Sequence, residues 1–176
     1  MPYTDVKGTT AYATDIQFCY DNGLISGTSR HTYAPNMNMT RGMFIASMYA
    51  LGNKKVNMST GSSFSTIMKS SYFTKALSWA FSRGITFGVN KSVFSPITRV
   101  TREQMAQMLY QYAGKPKLQT EAQLADSYQD SGKVSRSYKD AVLWAATNGF
   151  INAEDGVLNL KASVTRGEMA HALHEF

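Results

Sequence analysis

The chain has 176 residues, 43% of them hydrophobic and 12% aromatic, with 18 Lys and Arg against 12 Asp and Glu for a formal net charge of +6. That length and composition support a folded core and argue against a disordered chain, while a single Cys excludes both an internal disulfide framework and a multi-Cys metal centre. The basic balance favours an acidic partner, which leaves nucleic acid, anionic lipid and acidic polysaccharide open, although no apolar run approaches the length of a membrane span and the first residues lack a signal-peptide pattern.

In chain order, one pattern occurs three times. The units open at Tyr3-Thr4-Asp5-Val6, Phe64-Ser65-Thr66-Ile67 and Tyr128-Gln129-Asp130-Ser131, a spacing of 61 and then 64 residues. A helical pattern then begins at Tyr12, Phe73 and Tyr138 and stops eleven residues on at Gly23, Gly84 and Gly149, which suit a left-handed position just past a helix end. Inside it, Ile16, Leu77 and Val142 correspond, as do Cys19, Ala80 and Ala145, so each helix has one buried stripe. Cys19 is thereby read as a small core residue rather than a catalytic thiol.

Past each glycine come a short apolar step and a turn, namely Leu24-Ile25-Ser26-Gly27, Ile85-Thr86-Phe87-Gly88 and Phe150-Ile151-Asn152-Ala153. Loops containing Tyr33-Ala34-Pro35, Phe94-Ser95-Pro96 and Leu158-Asn159-Leu160 follow, with room for only very short extended segments. Second helices start at Thr40-Arg41-Gly42-Met43, Thr101-Arg102-Glu103-Gln104 and Thr165-Arg166-Gly167-Glu168. The Thr serves as N-cap, and Gln104 and Glu168 complete a capping box that Met43 leaves open. Met39 with Phe44, Val100 with Met105 and Val164 with Met169 offer a hydrophobic staple at each start.

Capping does not call for Arg at the first helical position, where the macrodipole is already positive. Arg41, Arg102 and Arg166 therefore point to three anion sites, each a guanidinium beside free helix N–H groups. Trp79 and Trp144, which correspond to Phe18, are candidates for an aromatic wall against a sugar, with packing between helices equally open. Asp5 and Asp130 are expected to hydrogen-bond the entry into their own first helices. Glu168, His171 and His174 have ligand-like spacing but too few ligands for a closed site, so a solvated helix face is preferred and no metal or other cofactor is expected. Nothing marks a nucleophile, a phosphate loop or a general acid/base pair, and an enzyme is disfavoured. The stripe Gln104, Gln107, Gln111 in a basic middle unit keeps a helical nucleic-acid-binding domain as an alternative, although the basic residues do not gather along one helix.

The combination of aromatic-x-Asp, an aromatic-led helix ending in Gly, Gly23-Leu24-Ile25-x-Gly27, Tyr33-x-Pro35 and Thr-Arg-x-Glu resembles the S-layer homology family in three tandem copies covering almost the whole chain. Thr66, Ala153, Leu158-Asn159-Leu160, Gly42 and Gly167 depart from the family pattern. The resemblance implies a mainly α fold of three helix-loop-helix repeats, at residues 1–55, 62–116 and 128–176, arranged pseudo-threefold around a central helical bundle as one monomeric module. It further implies a non-catalytic wall anchor at the bacterial cell surface. The partner would be an anionic, pyruvylated secondary cell-wall polysaccharide, with neither nucleic acid nor membrane, and a lysin's wall-targeting domain is an alternative parent. The ligand-binding set would be Arg41, Arg102, Arg166, Thr40, Thr101, Thr165, Trp79, Trp144, Gly27 and Gly88. Among these Arg102 is expected to contribute most and Arg166 least, because carboxylates gather in the third unit.

Overall fold

Local signals shape the helices as the sequence reads. In a computed structural model that describes residues 1–52, 73–86, 94–118 and 128–176, the first helix of each unit is α1 (Ala13–Asp21), α3 (Thr74–Ser82) or α5 (Lys139–Thr147). The second is α2 (Arg41–Gly52), α4 (Arg102–Tyr112) or α6 (Arg166–Glu175). These six are the α-helices among the described residues, and extended backbone there is confined to isolated bridges. Thr66 and Gly88 lie outside the described residues.

Tyr12, Phe73 and Tyr138 are the N-cap residues of α1, α3 and α5. At the other end Gly23, Gly84 and Gly149 have φ of 64°, 65° and 77°, a left-handed conformation that costs glycine nothing. The next residue then donates back across the helix end at 2.8 Å in all three cases, from Leu24 to Cys19, Ile85 to Ala80 and Phe150 to Ala145. Cys19 is fully buried like its counterparts Ala80 and Ala145, and burial, with the Asp15 charge, pushes its thiol pKa up to about 12. At that value the thiol is inert.

Thr101 and Thr165 form complete capping boxes with Gln104 and Glu168. Thr40 accepts from the Met43 N–H at 3.3 Å with no reciprocal bond, as a Met at that position requires. The staple residues Met39, Phe44, Val100, Met105, Val164 and Met169 are all buried.

The three units meet at these helix starts. Met39 donates to the Val164 carbonyl at 2.7 Å, Val164 to Val100 at 2.8 Å and Val100 to Met39 at 3.0 Å, so the hydrogen bonds run once around a pseudo-threefold axis and return. Each second helix then packs against the first helix of another unit: α2 on α3, α4 on α5, and α6 on α1. Tyr49 and Trp79 lie at the first of these seams (5.6 Å between centroids), Tyr110 and Trp144 at the second (5.5 Å), and His174 stacked on Phe18 at the third (4.3 Å).

Asp5 and Asp130 correct one expectation. Neither binds the entry into its first helix; each instead accepts from its own unit's loop almost thirty residues downstream. Asp5 takes the N–H groups of Tyr33 (2.9 Å) and Ala34 (2.7 Å), and Asp130 those of Leu158 (2.8 Å) and Leu160 (3.4 Å). The two loops they hold share a left-handed central residue, with φ of 60° at Ala34 and 53° at Asn159. The altered loop of the third unit therefore keeps the same turn, and Asn is the residue other than glycine that tolerates it best.

Candidate functional site

The helix starts do not present free N–H groups. The first two amides of every second helix donate to the loop of another unit: Arg41 and Gly42 to Thr98 and Pro96, Arg102 and Glu103 to Ala162 and Leu160, Arg166 and Gly167 to Met37 and Pro35, all at 2.8–3.1 Å. The third amide is taken by the Thr hydroxyl in each unit. Thr40, Thr101 and Thr165 are thus engaged in caps, and any anion would be held by the guanidinium rather than by the backbone. Glycine at two of these second positions has a local cause. A Cβ on Gly42 would lie 3.0 Å from the Phe73 ring, and one on Gly167 would lie 2.7 Å from that of Tyr12.

Arg166 and Arg41 reach onto the loop that their own helix start has paired with. Arg166 is 3% exposed, donates from Nε to the Tyr33 carbonyl at 2.8 Å and from Nη2 to that of Ser26 at 2.6 Å, and lies 4.5 Å from the Tyr33 ring centre. Arg41 donates from Nε to the Phe94 carbonyl at 3.0 Å and lies 4.7 Å from the Phe94 ring centre. Desolvation of this half-buried cation lowers its pKa from the ordinary arginine value. Arg102 instead pairs with Glu168 and donates to the Asn152 carbonyl. The ring that Tyr33 and Phe94 supply is replaced by Leu158, and among the described residues the buried Arg102 Nε has no hydrogen-bond partner.

These contacts build three grooves from equivalent parts. Groove 1, about 380 Å³, lies between the Leu24–Thr28 turn and α2, with Arg166 and Gly27 in its lining. Groove 2, about 300 Å³, carries Arg41, Thr86, Tyr138 and one face of α4. Groove 3, about 500 Å³, carries Arg102, Tyr12, Asn152, Glu154 and Glu168. The third residue of each second helix lines its groove: Met43 in the first, Gln104 in the second and Glu168 in the third. That position, readable in the sequence only as half of a capping box, sets the local charge.

Several expected residues fall elsewhere. Trp79 is 3% exposed and wedged between Tyr49 and Tyr112, and its indole Nε1 is buried without a hydrogen-bond partner among the described residues, so packing at a seam accounts for it. Trp144 packs against Tyr110 and Phe150 and borders a separate cleft of about 110 Å³. The aromatic that does line groove 2 is Tyr138. Gly27 is held by packing, since a Cβ there would meet Tyr3 at 2.4 Å, and its N–H donates to the Tyr3 hydroxyl at 2.7 Å. The stripe Gln104, Gln107, Gln111 lines groove 2 beside Arg41.

Two further polar clusters join different units. Glu103 is 5% exposed and accepts from the Ser135 N–H and hydroxyl, both at 3.0 Å, and from Lys161 at 2.6 Å. His171 and His174 are not on a solvated face: both meet Asp15 of α1, with Nδ1 to carboxylate distances of 3.4 Å and 2.6 Å. No signal within one unit could have found either cluster, because the partners are more than thirty residues apart in sequence.

Comparison with known proteins agrees with this architecture. The chain is 28% identical to an endoglucanase of Bacillus sp. (strain KSM-635) across 98% of its own length and 18% of that protein's. It is 28% identical to the exoglucanase XynX of Acetivibrio thermocellus (99% and 16%) and 27% identical to an amylopullulanase of Thermoanaerobacterium thermosulfurigenes (98% and 9%). The chain thus spans less than a fifth of the length of these relatives. A family model described as S-layer homology domain matches residues 2–43 and 63–106, the loop and helix start of the first two units included. The first two units thus match the S-layer homology family, whose domains are cell-wall anchoring modules, and the mainly helical fold is consistent with that family.

Proposed function

We propose that this chain holds a larger bacterial surface protein to the wall by binding an anionic secondary cell-wall polysaccharide, one bearing pyruvate ketals, in its inter-unit grooves. The repeats divide at 1–55, 62–116 and 128–176, and the module acts as a monomer outside the cell. Groove 2 carries the reading. It sets the Arg41 guanidinium, suited to a ketal carboxylate, beside Gln104, Gln107 and Gln111, whose amides can both donate to and accept from sugar hydroxyls, and beside Tyr138, whose ring can cover an apolar sugar face. Groove 1 adds Arg166, whereas in groove 3 the Arg102 charge is already met by Glu168. On this reading the dominant site is at Arg41, whose groove combines a guanidinium with three amides and a ring, rather than at Arg102, favoured by sequence charge. Names of the relatives are compatible with an anchor fused to a polysaccharide-degrading enzyme, whose catalytic part would lie outside this module.

Sedimentation with purified cell-wall sacculi, before and after mild acid removal of ketals, tests the reading. Binding should be lost with the ketals and should vary little with salt. Binding that survives ketal removal overturns the anion logic, and affinity for a DNA duplex that falls steeply with salt would favour the nucleic-acid alternative.

A further inference from the structure

The seam between α1 and α6 joins the two helices most distant in the chain, and it differs from its sisters. At the positions of α3 and α5 that correspond to Asp15 stand Ala76 and Ala141, buried at 2% and 1% exposure. In α1 the same place holds a carboxylate that is 14% exposed and faces two imidazoles of α6.

The tautomers are constrained by what surrounds them. His171 Nε2 is 3.0 Å from the Gly149 carbonyl oxygen, which can only accept, so Nε2 carries the proton; the Asn152 carboxamide 2.9 Å away can turn its oxygen toward the same proton. In a neutral ring Nδ1 is then a bare lone pair, and it faces Asp15 Oδ2 at 3.4 Å. Two lone pairs in that position call for a cation between them. His174 does not supply it, because its own Nδ1–H donates to Asp15 Oδ1 at 2.6 Å while its ring stacks on Phe18. Glu175, exposed, brings a second carboxylate, and one oxygen each from Asp15 and Glu175 and a His171 nitrogen lie within 4.8 Å of one another. A proton on His171 would leave this group of two carboxylates net negative, whereas a dication neutralises it.

We propose that Asp15, His171 and Glu175 bind a divalent first-row transition ion, zinc being the probe of choice, and that the ion pins α6 to α1. One imidazole and two carboxylate ligands suit such an ion, with solvent completing the coordination. The supporting contacts have the form found around metal-bound histidine: the ligand ring donates its other N–H to a backbone carbonyl, and a ligating carboxylate accepts from a neighbouring group, here His174. Glu168, adjacent in the helix, takes no part because it is committed to Thr165 and Arg102.

Calorimetric titration of zinc chloride into the full chain, stripped with chelator and returned to metal-free buffer, should show one equivalent bound at submillimolar zinc, with a rise in Tm. His171→Gln and Asp15→Ala should each weaken binding by roughly tenfold or more and abolish the Tm rise, while His31→Gln changes neither. Asp15→Ala places in α1 the residue that both sister seams carry, so it should remain folded in chelator. Cobalt(II) gives an independent readout, since its visible absorption on the wild-type chain should be missing from His171→Gln. The proposal is overturned if the wild-type chain takes up no stoichiometric zinc in this range, or if His171→Gln binds zinc as the wild type does, which would leave the Asp15–His171 contact as a proton-bridged pair only.

Discussion

The first and third units run the same backbone through different side chains. In both, an aspartate accepts two loop amides, the loop's central residue is left-handed, and the loop carbonyls receive the first two amides of another unit's second helix. What the loops offer the incoming arginine is different. Tyr33 presents a carbonyl and a ring to Arg166, whereas the third unit, with Leu158 in place of the aromatic, leaves the Arg102 Nε without a partner among the described residues and turns its guanidinium to Glu168. A repeated helix-start motif therefore conserves geometry while its chemistry is decided by the neighbouring unit.

The largest separation between the two should appear in stability. Arg166→Ala removes a cation that is 3% exposed and strands the Tyr33 and Ser26 carbonyls, at a cost of about 3 kcal/mol. Arg102→Ala loses an ion pair but also a poorly satisfied group, and should cost roughly half as much. Urea denaturation of both variants measures the difference, and equal losses would mean that the loops support their arginines equally.

In binding, Arg41 takes the leading place. Arg41→Ala should lose about 2 kcal/mol of affinity for a ketal-bearing wall fragment, because groove 2 depends on that charge, while Arg102→Ala should bind within about twofold of wild type. Arg41→Lys should recover part of the loss, restoring charge without the planar fork. Isothermal titration decides, and the assignment of groove 2 is wrong if Arg102→Ala is the weaker binder.

The two aspartates compare the loops directly. Asp130 is buried and its loss should cost about 2 kcal/mol; the more exposed Asp5 should cost about 1 kcal/mol. Burial acts to raise the Asp5 pKa, but the Tyr33 and Ala34 amides, its own N–H and the Arg166 charge outweigh it and hold the carboxyl below its ordinary 3.8. A lowered folded-state pKa stabilises above the unfolded value, so this contribution is present at neutral pH and fades as pH falls below about 4 toward the folded value. Thermal melts of Asp5→Asn should accordingly approach those of wild type as pH drops through that window, and a Tm gap that stays constant would show that the carboxylate charge is not what holds the loop.

The sequence was most legible where partners lie within one helical turn. Glycine stops, Thr caps and the missing reciprocal bond at Met43 all follow from contacts three to five residues apart, and they stand where spacing placed them. The site was less legible because its contacts cross units. The amides beside Arg41, Arg102 and Arg166 read as free until the neighbouring loops are placed, and Asp5 and Asp130 read as helix caps because their acceptor role depends on a loop brought back by folding. Leu158-Asn159-Leu160 misled in the opposite direction: its residue types differ from Tyr33-Ala34-Pro35, yet one left-handed position preserves the turn.

The smallest effect gives the sharpest comparison. Glu168 caps Thr165 with one carboxylate oxygen and engages Arg102 with the other, whereas Gln104 caps Thr101 in the same way without a charge. Glu168→Gln therefore keeps the capping box, as α4 shows an amide can, and releases the Arg102 charge into groove 3. If the difference between grooves 2 and 3 lies in that one carboxylate, the variant should gain affinity for the anionic wall fragment by about 1 kcal/mol, roughly fivefold, with its Tm within a few degrees of wild type. Adding Arg102→Ala to Glu168→Gln should cancel the gain. An unchanged affinity in Glu168→Gln with the fold intact would show that the shape of groove 3, and not its charge, keeps the ligand out.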